Sequence, residues 1–500
     1  MEHSLKAKSS GWMGKFLCGV AFRAARLVRL LLRLRPEGGS SLPGYVFLKL
    51  CPRGLSHWAD QVTHVLFLTG TNGKTTTTAL VASALRESGI SVVTNDKGAN
   101  MPSGLATAFV NAADPSGRLP RGAYAVFEVD EGSLPALVRE LAPDVVVLLN
   151  LYPDQLDRYG SPRELSERLR KTLAELDRSF EGRFTVVANA DQPLTVYAAQ
   201  GARSPSYFGL EAGEERDEGE APSEACPYCG APLVYTVRLP EALGPHLGRY
   251  RCPVCGFRRP DADVREGRIL PPDSFTRGFL LEVSGRTFAV PLLGTYNAYT
   301  VLAAWSAASA LGVSPDAFAR ALARFRLPRG RMEVLRASGV RATLNLAKNA
   351  AGMRVTLSEF LRREGPKRFL LAVNNAPADG EDASWIADAG LSALVRSDVE
   401  AVVVTGTRRE DLARVLREEG FAAERLFVEA EPRTAVARLL GSPYPLAEVF
   451  HADTGLFLIA NYTALPPVRE ALVASGFTPG EEGEPQRDEV PPRGRDQTIA

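Results

Sequence analysis

Residues 65–78 read Val-Leu-Phe-Leu-Thr-Gly-Thr-Asn-Gly-Lys-Thr-Thr-Thr-Thr. Val65 to Leu68 is a short apolar run suited to a buried parallel strand. Gly70-Thr71-Asn72-Gly73-Lys74-Thr75 follows, then a helical pattern through Leu80, Val81, Ala84 and Leu85. Strand, glycine-rich turn and helix are the context of a phosphate-binding loop. The glycines let backbone N–H groups converge on phosphate oxygens, and the helix N-terminus adds partial positive charge. Lys74 is then a solvent-facing side chain reaching the outer phosphates, and the Thr75 hydroxyl sits on Mg²⁺. Position 68 is Leu where the common pattern has Gly, so the loop is a variant form. An ordinary glycine turn is the plainer reading, but Gly-Lys-Thr at the end of an apolar strand argues against it.

A chain of 500 residues has room for roughly two or three domains. A net charge of +1 gives no nucleic-acid signature. Six cysteines in so long a chain point to a reducing cytoplasm rather than a disulfide scaffold. No uninterrupted apolar run is long enough to span a bilayer. Phe16 to Leu34 is apolar but interrupted by Arg23, Arg26, Arg29 and Arg33, which share one helical face. Two readings stand: a basic amphipathic helix on an anionic membrane, or a helix docked on the protein itself.

Pro36 to Pro43 is a Gly/Ser/Pro linker, followed by an apolar stretch from Tyr45 to Leu50. Strand candidates at Ser91–Thr94, Tyr124–Val129, Asp144–Asn150 and Phe184–Ala188 alternate with helical patterns, as in a mostly parallel sheet. Residues 211–225 are acidic and read as an exposed linker, and the α/β pattern resumes near Phe279. An Ala-rich helix is expected from about Asn297 to Leu311. Beyond Pro328 and Gly330, strand candidates Phe369–Val373 and Ala401–Val404 indicate a second α/β domain. The Pro/Glu/Gly/Arg-rich tail from Gly480 reads as disordered.

Cys226-Pro-Tyr-Cys229-Gly and Cys252-Pro-Val-Cys255-Gly are two knuckles of the same form. Four thiolates on two C-x-x-C turns suit a closed, structural, tetrahedral Zn²⁺ site. Four unrelated buried cysteines would not explain the duplication. Glu128-Val129-Asp130-Glu131 ends a strand candidate, and Glu128 there could hold Mg²⁺ opposite Thr75. Asp154, Gln155, Asp157 and Arg158 follow the next strand, where ligands of parallel sheets bind; a capped helix start after Pro153 is the competing reading.

Together these residues resemble the central domain of the Mur ligases. Gly70–Thr75 is similar to that family's ATP loop, and Glu128 stands where the family places an Mg²⁺-binding Glu. Residues 150–160 resemble its Asn-x-x-x-Asp-His-x-Asp-Arg motif, with Gln155 in place of His. Asn189-Ala-Asp191 resembles the Asn-x-Asp turn. Gly294-Thr-Tyr-Asn297-Ala-Tyr-Thr300 resembles the motif whose central Asn contacts adenine, with Tyr296 and Thr300 as departures. Gly330-Arg331-Met332-Glu333 resembles the opening of the C-terminal domain. The four-cysteine insertion, Leu344–Gly352 and Ala378–Ile386 resemble the MurT branch, with Ala350 and Asn375 departing from the expected Pro and Asp.

The resemblance implies an α/β fold with a Mur ligase-like central ATP-binding domain at 59–325, its zinc-ribbon insertion at about 222–260. It further implies a smaller Rossmann-like α/β domain at 326–476, with an N-terminal helix and linker at 1–58 and a tail at 477–500. The implied cofactors are ATP, Mg²⁺ and Zn²⁺. Nucleotide-binding residues would be Gly70, Thr71, Asn72, Gly73, Lys74, Thr75, Thr76, Asn297 and Arg331. Lys74 and Glu128 would serve catalysis, Thr75 and Glu128 the Mg²⁺. The implied reaction is amidation of the D-Glu α-carboxylate of the lipid II stem peptide through an acyl phosphate. Ammonia would come from a GatD-type glutaminase partner, because neither Cys18 nor Cys51 sits in a nucleophile setting. Asp379 and Asp382 would lend that partner a carboxylate, although Asp382 could simply cap the following helix. A free-standing amino-acid-adding Mur ligase, a folylpolyglutamate synthase-like ligase and a non-enzymatic nucleotide-dependent scaffold remain as alternatives.

Overall fold

The structure, a computed structural model, describes residues 12–32, 41–95, 99–154, 160–181, 183–211, 224–261, 264–274, 278–441 and 454–479. Gln155, Asp157, Arg158, most of the linkers at 36–43 and 211–225, and the tail from Gly480 lie outside them.

The apolar run ahead of the glycine turn becomes β1 (His64–Thr69), buried from Val65 onward. It takes a central place because both of its faces are apolar, as parallel strands covered on two sides require. Around it stand β2 (Val92–Thr94), β3 (Tyr124–Glu128), β4 (Val145–Leu148), β5 (Thr185–Asn189) and β6 (Ser206–Leu210). The sheet runs in the order β2-β3-β1-β4-β5-β6 and is parallel throughout that part. Beyond β6 come three further strands, counted after the two strands of the cysteine insertion: β9 (Val264–Ser274), β10 (Gly278–Val283) and β11 (Arg286–Val290). β9 joins β6 in parallel, and β10 and β11 extend it as an antiparallel hairpin, completing nine strands.

From β1 the chain goes first to the edge strand β2, returns through β3 beside β1, then crosses to build the other side from β4. That reversal between β1 and β4 is the switch point at which open α/β sheets leave a crevice. The helix Lys74–Glu87 starts directly above it.

A second sheet of seven strands follows: β12 (Glu333–Ala337), β13 (Val340–Leu346), β14 (Lys367–Ala372), β15 (Val399–Thr405), β16 (Leu426–Val428), β17 (Gly455–Ala460) and β18 (Thr478–Pro479). Five strands, in the order β16-β15-β14-β17-β13, are parallel. The expected strands at 369–373 and 401–404 correspond to β14 and β15. β17 had no counterpart in the sequence reading, yet it lies between β14 and β13 with all six residues buried. So short an apolar run does not declare itself strand or helix by periodicity. The cysteine insertion forms its own two-stranded ribbon of β7 (Val234–Arg238) and β8 (Gly248–Arg251).

The N-terminal helix Trp12–Leu32 is docked on the protein, through Cys18, Ala21, Phe22 and Ala25. With helix Leu42–Leu50 it packs over helix Pro102–Ala112, around a fully buried Trp58 that stacks on Phe109 at 5.0 Å and meets Phe47 at 4.6 Å. Gly44 permits that approach, because a Cβ there would stand 1.9 Å from the Ser103 carbonyl oxygen. Arg29 donates to the carbonyls of Val110 and Asn111 at the end of helix Pro102–Ala112. Cys18 and Cys51 are joined as a disulfide between the two N-terminal helices, so the reading that left all cysteines reduced is corrected for this pair. Docking leaves a second apolar face of the same helix outward: Phe16, Leu17, Val20, Leu27, Leu30 and Leu31 are 45–61% exposed. Among the described residues no helix is long and apolar enough to cross a membrane.

Candidate active site and metal centre

The glycine turn closes tightly over the switch point. Gly70 has φ 136°, and a Cβ on it would meet Asn150 backbone atoms at 2.8–2.9 Å. Thr71 N–H donates to the Asn150 carbonyl at 2.8 Å and Asn72 N–H to Asn150 Oδ1 at 2.8 Å. Gly73, at φ 88°, takes the left-handed turn that starts the helix at Lys74. The first backbone N–H groups of that helix face a cavity of about 730 Å³.

Lys74 is not solvent-facing as expected from the sequence: it is 8% exposed. Its ammonium donates to the Gly70 carbonyl at 2.5 Å and to both Glu131 oxygens at 3.2 Å. Burial pulls its pKa down, but Glu131, Glu128 and Asp154 outweigh that and hold it above the ordinary lysine value. The lysine is therefore a fixed cation at the loop. Glu131 was visible in the sequence only as one of several acids after a strand, and nothing in the spacing marked it as the partner of Lys74.

Glu128, at the end of β3, is 1% exposed. Burial raises its pKa, against the opposing pull of the Thr75 hydroxyl, Lys74, Arg331 and Lys348. Its Oε2 has no hydrogen-bond partner among the described residues. A buried carboxylate oxygen left without a partner is costly, and a divalent cation beside the Thr75 hydroxyl would satisfy it. Glu128 and Thr75 thus fit the Mg²⁺ expected of them.

The second sheet supplies the opposite wall. Arg331 Nη2 donates to Thr75 Oγ1 at 3.3 Å, and burial lowers the pKa of this arginine. Lys348 pairs with Asp154 at 2.5 Å. The amides of Asn72 and Asn349 exchange hydrogen bonds at 3.2–3.3 Å, while Asn349 Oδ1 also caps helix Ala350–Leu361. Asn297 lines the cavity, donating to the Leu293 carbonyl and accepting from Thr300. Thr71, Thr75 and Thr76 line it as well.

Asp379 and Asp382 lie after β14 and differ sharply. Asp379 is buried, with its carboxylate accepting from the backbone N–H and hydroxyl of Thr463. Asp382 is exposed and accepts from Ser384 N–H at the start of a short 3₁₀ turn.

The sulfurs of Cys226, Cys229, Cys252 and Cys255 all lie within 4.8 Å of one another. Cys226 to Cys255 and Cys229 to Cys252 are each 3.5 Å. Four sulfurs at Zn–S bond length from one tetrahedral centre would lie about 3.8 Å apart, so the donor set fits that ion.

The family description "Mur ligase middle domain" matches residues 68–220, and "MurT ligase C-terminal" matches 346–465. The MurT subunit of lipid II isoglutaminyl synthase (glutamine-hydrolyzing) from Staphylococcus aureus strain N315 is 31% identical, over 90% of this chain and 97% of that protein. The chain belongs to the MurT family of Mur ligases. The MurT subunit from Streptococcus pneumoniae strain R6 is 30% identical, over 87% of this chain and 93% of its own length. Among solved structures, a pseudomurein peptide ligase type C from Methanothermus fervidus superposes with a TM-score of 0.60 at 21% identity, covering 82% of this chain and 79% of that one. MurF from Acinetobacter baumannii gives 0.60 at 17%, covering 86% and 80%. MurT membership makes this an ATP-dependent ligase, with ATP and Mg²⁺ as the cofactors the family implies.

Within this MurT-family chain, sequence reasoning also missed Arg259. It is buried just beyond the second knuckle and pairs with Asp191 at 2.7 Å. An arginine among several near the ribbon carries no signal until the fold brings Asp191 to it. Elemental analysis of metal-replete protein should give one Zn²⁺ per chain, falling to near zero when Cys226 and Cys252 are both replaced by Ser; iron, or less than half occupancy, would contradict the site.

Proposed function

We propose that this chain is the ligase subunit of a lipid II isoglutaminyl synthase. It amidates the α-carboxylate of D-Glu in the lipid II stem peptide, using ammonia from a GatD-type glutaminase subunit. The observation that carries the ligase chemistry is the buried pair Lys74 and Glu128 at the phosphate loop, with Lys74, Thr75 and Arg331 lining one cavity. The printed names of the relatives support the substrate and the glutamine dependence.

A carboxylate is a poor electrophile, and bound ATP supplies the phosphoryl group that converts it to an acyl phosphate open to ammonia. The chain's work is alignment and charge neutralisation. The N–H groups of Gly73–Thr76 at the helix start would hold the phosphates, Lys74 stays protonated against the transferring group, and Glu128 with Thr75 would hold Mg²⁺. Arg331 and Lys348 bring positive charge from the second sheet, where the acceptor carboxylate would approach.

The exposed face of helix Trp12–Leu32 supports residence at the inner face of the cytoplasmic membrane. The helix has Lys15, Arg23, Arg26 and Arg29 and no acid, and its outward leucines suit shallow burial among anionic headgroups.

Three outcomes are expected. Lys74→Ala should lower ammonium-driven amidation of lipid II by roughly a hundredfold or more. Because the substitution strands Glu131, the double variant with Glu131→Gln is assayed beside it; near wild-type turnover in both would refute the role of the loop. For the partner loop, Asp379→Asn or Asp382→Asn should cut the glutamine-driven rate and spare the ammonium-driven one. If both rates fall together, the loop serves the ligase site or the fold instead. The protein should also sediment with vesicles containing phosphatidylglycerol but not with pure phosphatidylcholine. Leu27→Asp with Leu31→Asp should abolish that sedimentation, and equal sedimentation with both lipids or with neither would dismiss the membrane reading.

A further inference from the structure

The ribbon's position is unexpected for a purely structural metal site. Its two strands β7 and β8 form an antiparallel hairpin, with Tyr235 opposite Tyr250 and Arg238 opposite Gly248. The cysteine knuckles flank the open end of this hairpin, and its loop, Leu239 to Leu247, is closed by a hydrogen bond from Leu239 N–H to the Leu247 carbonyl at 3.0 Å. Leu243, Gly244 and Leu247 of that loop line the same cavity as the phosphate loop.

The hairpin is also fixed to the residues that follow Asn189, which lines the cavity. Gly248 N–H donates to the Asp191 carbonyl at 3.1 Å and Tyr250 Oη to the Ala190 carbonyl at 3.2 Å. Arg259 Nε donates to Asp191 Oδ1 at 2.7 Å. Asp191 Oδ2 in turn accepts from Tyr299 Oη at 2.7 Å, and Tyr299 lines the cavity. One buried carboxylate therefore ties the segment beyond the second knuckle to a side chain in the pocket wall.

A nucleoside triphosphate has a highly charged end and a flat, weakly polar end. The loop at 70–76 suits the first. Leu243 and Leu247, with Phe208 and Tyr299, are apolar lining that suits the second. We propose that the hairpin tip is the wall of the base subsite, and that metal at the four cysteines holds this wall in place, so nucleotide affinity depends on metal occupancy. This deepens the nucleotide reading above and rests on it. A knuckle that loses its metal frees both strands of the hairpin at their cysteine end, which leaves the tip held through the bonds to Ala190 and Asp191 and loosens Leu243 and Leu247.

Calorimetric titration with ATP and, separately, with inorganic tripolyphosphate tests the idea without turnover. Leu243→Ser, at a half-buried position, should weaken ATP binding roughly tenfold through lost apolar contact. Tripolyphosphate, which has no base, should bind the variant as it binds the wild type. Leu247→Ala serves as the second variant, and metal-stripped wild type with an unchanged circular dichroism spectrum should show the same selective loss. Equal ATP affinity in wild type, both tip variants and stripped protein would overturn the proposal, as would parallel loss of both ligands. If metal-loaded wild type binds neither ligand, the nucleotide reading itself fails, a result distinct from the others.

Discussion

Gly70 has no room for a side chain. It sits where β1 ends and presses against the backbone of Asn150, which continues from β4. These are the two strands between which the sheet reverses its winding. The close contact brings the turn down onto the switch point, and Thr71 and Asn72 then bond Asn150 instead of water. Helix Lys74–Glu87 consequently opens toward the crevice rather than away from it. The orientation of the loop and helix groups in the cavity follows from that one approach.

With the helix so placed, the charges are arranged by burial. Lys74 and Glu128 are both largely removed from water, and neither would be tolerated there alone. Glu131 compensates the lysine, while one oxygen of Glu128 finds no hydrogen bond among the described residues. A buried oxygen without a hydrogen bond, beside a hydroxyl and within the field of three cationic side chains, is a poor device for stability and a suitable one for holding a cation. Arg331 and Lys348 come from a different sheet, so the charge balance of the cavity also links the two halves of the molecule.

The cysteine ribbon extends this linkage. Its hairpin bonds Ala190 and Asp191, next to the cavity-lining Asn189, and Glu241 in its loop pairs with Arg354 on helix Ala350–Leu361 at 3.2 Å. An insertion that could have projected into solvent instead touches both walls.

Local chemistry was legible in the sequence wherever the chain itself supplies the geometry. Gly70–Thr75 had to form a turn between strand and helix, because only glycines tolerate those backbone angles. Cys226, Cys229, Cys252 and Cys255 had to pair as two knuckles, because each C-x-x-C turn presents its sulfurs together. Alternating apolar runs established the parallel α/β class. What the sequence could not determine depends on residues far apart in the chain. That Lys74 is buried on Glu131, that Asp379 faces Thr463 while Asp382 faces solvent, and that Arg259 reaches Asp191 are long-range pairings. The N-terminal helix shows the same division: its composition suited either a membrane or a docked position, and packing against helix Pro102–Ala112 and Trp58 gave one face to the protein and left the other outward. Local spacing fixes which residues share a turn or a face; only tertiary contact, through burial and the charges it brings together, decides what each face meets.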